Sequence, residues 1–500
     1  MTAKLPVCDV LIVGLGPVGA TLAALLGGRG ISTVAIERDT AVYPLPRAVH
    51  FDHEIMRLFQ ALGVADEVQR HARDLPAYEF RAANGELLMC LQPVRDTPSG
   101  WGSGYMFHQP ALETALRDKL AALPNIRTLL GWRFDSLEQD GDGVTATVAG
   151  PDGPVTLHAR YLVGCDGASS GVRGAIGAGL TDFHFDEPWL VVDTKTLPGS
   201  RMPEVNLQIC DPARPTTCVL GGPARHRWEF MLLPGETADG MLEDGTIQAL
   251  LAPWNCGPLE IERKAVYRFH GLMADRWRAG RVLLAGDAAH QMPPFAGQGM
   301  CSGLRDVANL AWKLEAVLGG TASGELLDTY QSEREPHVRA LIELAIGMGR
   351  VVCTLDRDAA AARDAGMIAS RAAGAPPLPP LQPPALASRC ILTGTPAAGL
   401  QFPQPTQGQG SSCLRMDDVL GDGPWLIARR DGATGIAGMQ VVDVGSGAMQ
   451  PFRAALEKWL GDRGVEAVLV RPDRYVFGSG ESAELLSAWS KALRPSQRAT

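Results

Sequence analysis

The apolar and polar positions of this chain follow three rhythms. Val7 to Val13 is a short unbroken apolar run, the pattern of a strand buried on both faces. Small and apolar residues at helical spacing follow from Ala20 to Leu26, closed by Gly27, Gly28 and Gly30. A second apolar run, Ser32 to Ile36, ends at Glu37-Arg38. This predicts one βαβ unit of a parallel sheet. A helical pattern returns from Ala111 to Leu123, after Gln109-Pro110. Val144–Val148 and Val155–Leu157 read as strands, with Asp-Gly turn chemistry at 140–143 and 150–153.

Residues 186–270 are the most strand-like stretch. Leu190–Val192, Val205–Ile209, Cys218–Leu220 and Trp228–Leu233 are short runs separated by turn residues, which predicts an antiparallel sheet inserted into the α/β part. Arg281–Ala285 reads as another buried strand. Cys301–Leu318 has Leu304, Val307, Ala308, Ala311, Trp312 and Leu314 at helix spacing. Ala375–Pro384 is a stiff proline-rich tract. Beyond it, Trp425–Ala428 and Ala467–Val470 read as strands and Phe452–Leu460 as a helix, so a small α/β domain is expected there.

Composition narrows the function. Of 500 residues, 46% are hydrophobic and 20% charged, a globular balance with ample core. With 46 basic and 55 acidic residues the net charge is −9, which argues against a nucleic-acid-binding footprint. The ten cysteines form no C-x-x-C and no group with histidines at zinc spacing, so no metal site is expected and a reducing cytoplasm suits them. The uncharged stretch Val10–Gly28 lacks the basic start of a secretory leader and is interrupted by Gly14, Gly16, Pro17 and Gly19. No other stretch approaches the roughly 20 apolar residues of a membrane span. A soluble, cytoplasmic protein is expected.

Three motifs carry chemistry. Gly14-x-Gly16-x-x-Gly19 lies between strand and helix, with Glu37 at the end of the next strand. Such glycines admit a pyrophosphate to a helix N-terminus, and such an acid accepts ribose hydroxyls. Cys165-Asp166-Gly167-Ala168-Ser169-Ser170-Gly171-Val172-Arg173 is a strand-end loop, with Ser169 or Ser170 as a candidate helix cap. Gly286-Asp287 follows a buried strand, where open α/β sheets bind ligands. It is followed by Pro293-Pro294-Phe295-Ala296-Gly297-Gln298-Gly299, a rigid turn and glycine-flanked loop able to lie against a flat polar ring.

In this order the motifs resemble the single-component FAD-dependent aromatic hydroxylases, over about residues 8 to 345. The resemblance implies a Rossmann-like FAD-binding domain (1–75, 105–185 and 270–374). It also implies an inserted, mainly antiparallel substrate-binding sheet domain (76–104 and 186–269). After the linker at 375–384 comes a C-terminal domain (385–500) similar to the thioredoxin-like tail of phenol-hydroxylase relatives. Lacking C-x-x-C, that tail is expected to serve packing or homodimer contacts. The implied FAD-binding residues are Gly14, Gly16, Gly19, Glu37, Arg38, Arg47, Gln109, Asp166, Gly286, Asp287, Pro293, Gly297, Gln298, Gly299 and Met300. Trp189–Asp193, Glu229–Glu236, Asn309–Leu314 and Arg471–Arg474 are most similar to 3-(3-hydroxyphenyl)propionate hydroxylases.

The implied reaction uses NADH or NADPH to reduce FAD. Reduced FAD and O2 form a C4a-hydroperoxide, which places one oxygen on a phenolic ring such as a 3-hydroxyphenylpropionate-like acid. The protein must exclude water and help the phenol lose its proton. His50 is the candidate base and Asp52 a second. The alternatives are that His50 bonds backbone, that Asp52-His53-Glu54 marks a helix start, and that His290 and Cys301 are structural. An arginine in or near the inserted sheet is a candidate partner for a substrate carboxylate. Hydroxylation of a larger polycyclic or polyketide phenol, flavin-dependent dehydrogenation or halogenation without oxygen insertion, and a non-catalytic FAD-binding role are the rival functions.

Overall fold

The computed structural model describes residues 8–94, 96–375, 383–408, 410, 413–429 and 435–494. Five parallel strands form its first layer, in the order Val282–Leu284, Gly153–Gly164, Cys8–Val13, Thr33–Glu37 and Ile126–Leu130. Apolar side chains fill both faces of Cys8–Val13 because helices cover one side and a hairpin extension the other. The helices Pro17–Gly28, Gln109–Ala121 and Gly299–Leu318 pack together over this sheet. Parallel pairing brings the C-terminal ends of all five strands to one edge. Gly14, Glu37, Asp166 and Asp287 therefore meet there although nearly 275 positions separate the outermost.

The inserted sheet has eight strands. Its order is His290–Gln291, Leu259–Ala274, Leu180–Thr196, Arg225–Met231, Thr216–Leu220, Asn206–Cys210, Tyr78–Ala82 and Leu87–Leu91. All pairs are antiparallel except Asn206–Cys210 with Tyr78–Ala82, which is parallel. The long strands Leu180–Thr196 and Leu259–Ala274 pair from Leu180↔Ala274 to Thr196↔Leu259, with register shifts between Asp182 and Asp186 and between Asp193 and Thr194. One face, with Leu190, Val192, Cys218, Trp228 and Phe230, is covered by the helices at 238–251. The opposite face looks toward the parallel layer, with Trp189 against Phe295. A three-stranded sheet of His50–Asp52, Gly104–Phe107 and Ala72–Asp74 closes the space between them.

Two long helices, Asp328–Val352 and Arg357–Ala372, follow the first layer. Of the proline-rich tract at 375–384, residues 376–382 lie outside the described residues. The tail is a mixed sheet ordered Gln440–Asp443, Trp425–Ala428, Ala467–Val470 and Val476–Gly480, with Arg453–Asp462 and Ser482–Leu493 as helices. One pair is parallel and two antiparallel, the thioredoxin-like arrangement expected for it. Buried ion pairs dock it: Arg57–Asp417 at 2.8 Å and Arg471–Glu333 at 2.9 Å. Among the described residues no helix is long and apolar enough to cross a membrane.

Candidate active site

The first helix opens with Gly16 at its cap position, without a side-chain cap and without an acid in its first turn. Its N-terminal end is therefore open to an external anion. A Cβ on Gly16 would meet nothing within 4 Å, so the space in front is free. Gly14 is different: its φ is +97° and a Cβ would lie 2.4 Å from the Cys165 carbonyl oxygen. Only glycine lets the two strand ends approach this closely. Glu37 accepts the Leu15 amide at 2.8 Å and the Asp39 amide at 3.1 Å, which fixes its carboxylate at the strand end. Arg38 beside it is exposed.

Asp166 is a loop-builder. It accepts the Ser170 hydroxyl at 2.5 Å and the Val172 amide at 3.1 Å, and Ser170 in turn caps the following helix at Arg173. Gln109 is likewise inward: its Oε1 accepts the amides of Arg47 at 2.9 Å and Ala48 at 2.7 Å, pinning that loop to the cleft. Asp287 behaves otherwise. Its side chain is exposed at the strand edge and makes no hydrogen bond to any described residue. Arg47 and His290 are the cations its charge feels. Asp306 holds the motif from behind, accepting the Gly286 amide at 3.2 Å and pairing with His290 at 2.6 Å. His290 is thus a structural partner.

Pro293 leads into a 3₁₀ turn that ends at Gly297, φ +63°, and Gln298 starts the long helix. Met300 packs half-buried on the core. His50 Nδ1 lies 3.2 Å from the Gly297 carbonyl oxygen. A carbonyl only accepts, so Nδ1 carries the proton and Nε2 the lone pair. Burial lowers the His50 pKa, outweighing the Gly297 bond, so the ring is neutral. Its Nε2 lies against Gly104, where a Cβ would come within 2.6 Å. Asp52 caps the helix His53–Ala61 through the amides of Glu54 and Ile55 at 3.2 Å. It also pairs with Arg305 at 2.6 Å. Burial alone would raise the Asp52 carboxyl, but the Arg305 charge holds it well below the usual carboxylate range. Asp52 is therefore a cap and an ion-pair partner, and its carboxylate is already engaged. Cys301 is fully buried, and burial raises its thiol.

Arg305 was not singled out by sequence. It bonds Glu54 at 2.6 Å, Asp52 at 2.6 Å and Gln298 at 3.1 Å, and Glu54 accepts the Tyr475 hydroxyl at 2.7 Å. The C-terminal domain thus braces the loop at 297–299. The sheet arginines are also committed: Arg225 pairs with Glu262, Arg268 with Asp186, and Arg227 and Arg263 with Asp193.

The arrangement is a strand-edge cleft with an open helix N-terminus, a fixed acid, an unpaired carboxylate and a flat-ring loop. It fits a dinucleotide-type flavin: the space before Gly16 at the first-helix N-terminus is free, and Asp287 at the adjoining strand end lacks a protein hydrogen-bond partner. The model of the family described as FAD binding domain matches residues 7–345. The chain belongs to that family. Within it, the chain is similar to aromatic hydroxylases along its length. A probable NADH-specific resorcinol 4-hydroxylase of Rhodococcus jostii (strain RHA1) is 39% identical, covering 97% of this chain and 94% of the relative. A 3-(3-hydroxy-phenyl)propionate/3-hydroxycinnamic acid hydroxylase of Burkholderia cenocepacia (strain HI2424) is 35% identical, covering 98% of both. Among solved structures, aklavinone-11 hydroxylase with FAD and aklavinone superposes with a TM-score of 0.79 at 26% identity, covering 99% of this chain and 100% of that one. The protein is an FAD-dependent aromatic hydroxylase.

Proposed function

We propose that this enzyme hydroxylates a single-ring phenolic aromatic with NADH as donor and O2 as oxidant. Resorcinol and 3-(3-hydroxyphenyl)propionate are the two substrates its relatives point to. One observation carries the reading: a cofactor cleft and the inner face of the inserted sheet converge on the loop at 293–299. Trp189 of that sheet meets Phe295 of the loop with ring centroids 5.7 Å apart.

Bound FAD supplies hydride acceptance and O2 activation. The chain's own residues do the rest. Gly14, Gly16, Gly19 and the first-helix N-terminus would hold the pyrophosphate, Glu37 a ribose, and Asp287 the ribityl chain. Arg38 and Arg47 are cations at the cleft mouth. Gly297, Gln298 and Gly299 would face the ring, with Pro293 and Met300 bounding the loop. Gln109, Asp166 and Gly286 act through the backbone they position. His50 holds the loop through the Gly297 carbonyl. The aromatic cluster Phe185, Trp189, Phe269 and Phe295 keeps water from that end of the cleft.

The test is direct. Purified protein should contain FAD, and a phenol should accelerate its reduction by NADH and yield a dihydroxylated or trihydroxylated ring. Reduction that no phenol accelerates, with no hydroxylated product, refutes the reading.

A further inference from the structure

The inner face of the inserted sheet carries one group that nothing above uses. Glu229 lies in the strand Arg225–Met231 between Trp228 and Phe230, which point to the other face. It is 6% exposed and makes no hydrogen bond to any described residue. Its nearest cation, Arg227 Nη1, is 3.9 Å away. That guanidinium is already committed to Asp193 and to the carbonyls of Pro46 and Arg47. The other polar neighbours satisfy each other: Thr217 donates to Gln208 at 2.7 Å, and Gln208 donates to the Tyr78 hydroxyl. A largely buried carboxylate without a donor is costly unless water or a ligand reaches it.

Cross-strand register fixes where Glu229 looks. Val191 and Thr217 flank it in the sheet. One row away lie Trp189 and Met231, and Trp189 touches the loop residue Phe295. One row the other way lie Asp193 and Arg227, which hold the Arg47 loop. On the same side Asn206 contacts Met106, the strand partner of His50. Glu229 thus lies between the sheet row that meets the loop at 293–299 and the row that holds the Arg47 loop.

Resting on the function proposed above, we propose that Glu229 receives the substrate phenol's hydroxyl and takes its proton during ring hydroxylation. The phenol O–H bond breaks, the proton passes to a Glu229 carboxylate oxygen, and the electron pair stays on the phenol oxygen. That pair raises electron density at the ring carbons ortho and para to it, one of which forms the new C–O bond with the oxygen that O2 and reduced FAD supply. The second oxygen atom leaves as water.

Burial raises the Glu229 carboxyl to about 7, against the pull of Arg227. The charged and titratable groups that face it are Arg227, Asp193, Arg263 and Tyr78. A base poised there is suited to proton transfer at neutral pH.

The test compares wild type with Glu229→Gln, using resorcinol and 3-(3-hydroxyphenyl)propionate as probes, and records FAD content, thermal midpoint, product and the pH profile of kcat/KM. The expected result is that wild type shows a rising limb near pH 7 with the phenol it hydroxylates. E229Q should keep its FAD and midpoint, lose the limb, and fall at least tenfold in kcat/KM. Equal kcat/KM and an unchanged limb in E229Q would remove the Glu229 role alone. Hydroxylation of neither phenol by wild type would sink the proposed function itself. Should E229Q fail to retain FAD, the wild-type profile decides: no limb near 7 with resorcinol refutes the proposal.

Discussion

Replacing Arg305 with Met is the sharpest probe of how the site is held. The guanidinium is 9% exposed and serves Glu54, Asp52 and Gln298 at once. Removing one partner of a buried pair costs roughly 3–5 kcal/mol. The lower end applies, because Asp52 keeps two amide donors and Glu54 keeps Tyr475. A loss of about 3 kcal/mol is therefore expected at pH 7. The loss should depend on pH with a definite sign. Arg305 holds the Asp52 carboxyl below its ordinary range. That contribution is full above about pH 4, the unfolded carboxylate value, and fades as pH falls through the folded value. The gap between wild type and R305M should thus be widest at pH 7 and shrink below pH 4. Urea unfolding of the FAD-loaded proteins at several pH values measures it. Arg305→Lys, a point charge without the fork, should recover only part of the gap. A gap under about 1 kcal/mol at pH 7, the level of an exposed ion pair, would refute the reasoning, as would a gap that grows in acid.

Three other changes test separate parts. Gly14→Ala places a Cβ 2.4 Å from the Cys165 carbonyl oxygen at φ +97°, and the left-handed backbone alone costs about 1–2 kcal/mol; a folded protein purified without FAD is the expected outcome. Asp287→Ala removes a carboxylate with no protein hydrogen bond, so apoprotein stability by thermal melting should hold while FAD affinity by fluorescence titration falls at least tenfold. Burial holds His226 down to about 4, with Arg73 adding to the effect. Its neutral form stabilises the fold above about pH 6.5, and this is lost as pH falls toward 4, at most about 3 kcal/mol. His226→Asn should flatten that part of the stability–pH curve.

The cofactor cleft was legible in sequence because its parts are backbone devices. Glycines at 14, 16 and 19 and acids at strand ends follow from turn geometry and from parallel pairing, which gathers distant strand ends at one edge. The strands Trp425–Ala428 and Ala467–Val470 were readable for a related reason: four consecutive apolar residues in each are buried on both sides. The helix Asp328–Val352 escaped notice. Its buried side includes Glu333, paired with Lys313 and Arg471, Arg334, paired with Asp306, and His337, bonded to Arg334, so its apolar period is broken by polar residues. Pro336 inside it obscures the pattern further. The helices at 238–251 are short, and the strand rhythm around them hides them. Asp52 was read correctly as a helix start, but its ion pair spans 253 positions and no local signal announces Arg305. Glu229 did leave a trace, a lone acid between Trp228 and Phe230 in a strand. Its meaning needed the sheet register, which shows what stands on either side of it.

If this chain uses its flavin to place one atom of O2 on a phenolic ring, the transferred atom can be followed directly. Turnover of resorcinol with NADH under isotopically labelled O2, followed by mass spectrometry of the product, measures that transfer. One labelled oxygen is expected in the new ring hydroxyl for nearly every NADH consumed. An unlabelled product, or NADH oxidation that ends only in labelled hydrogen peroxide, would contradict it.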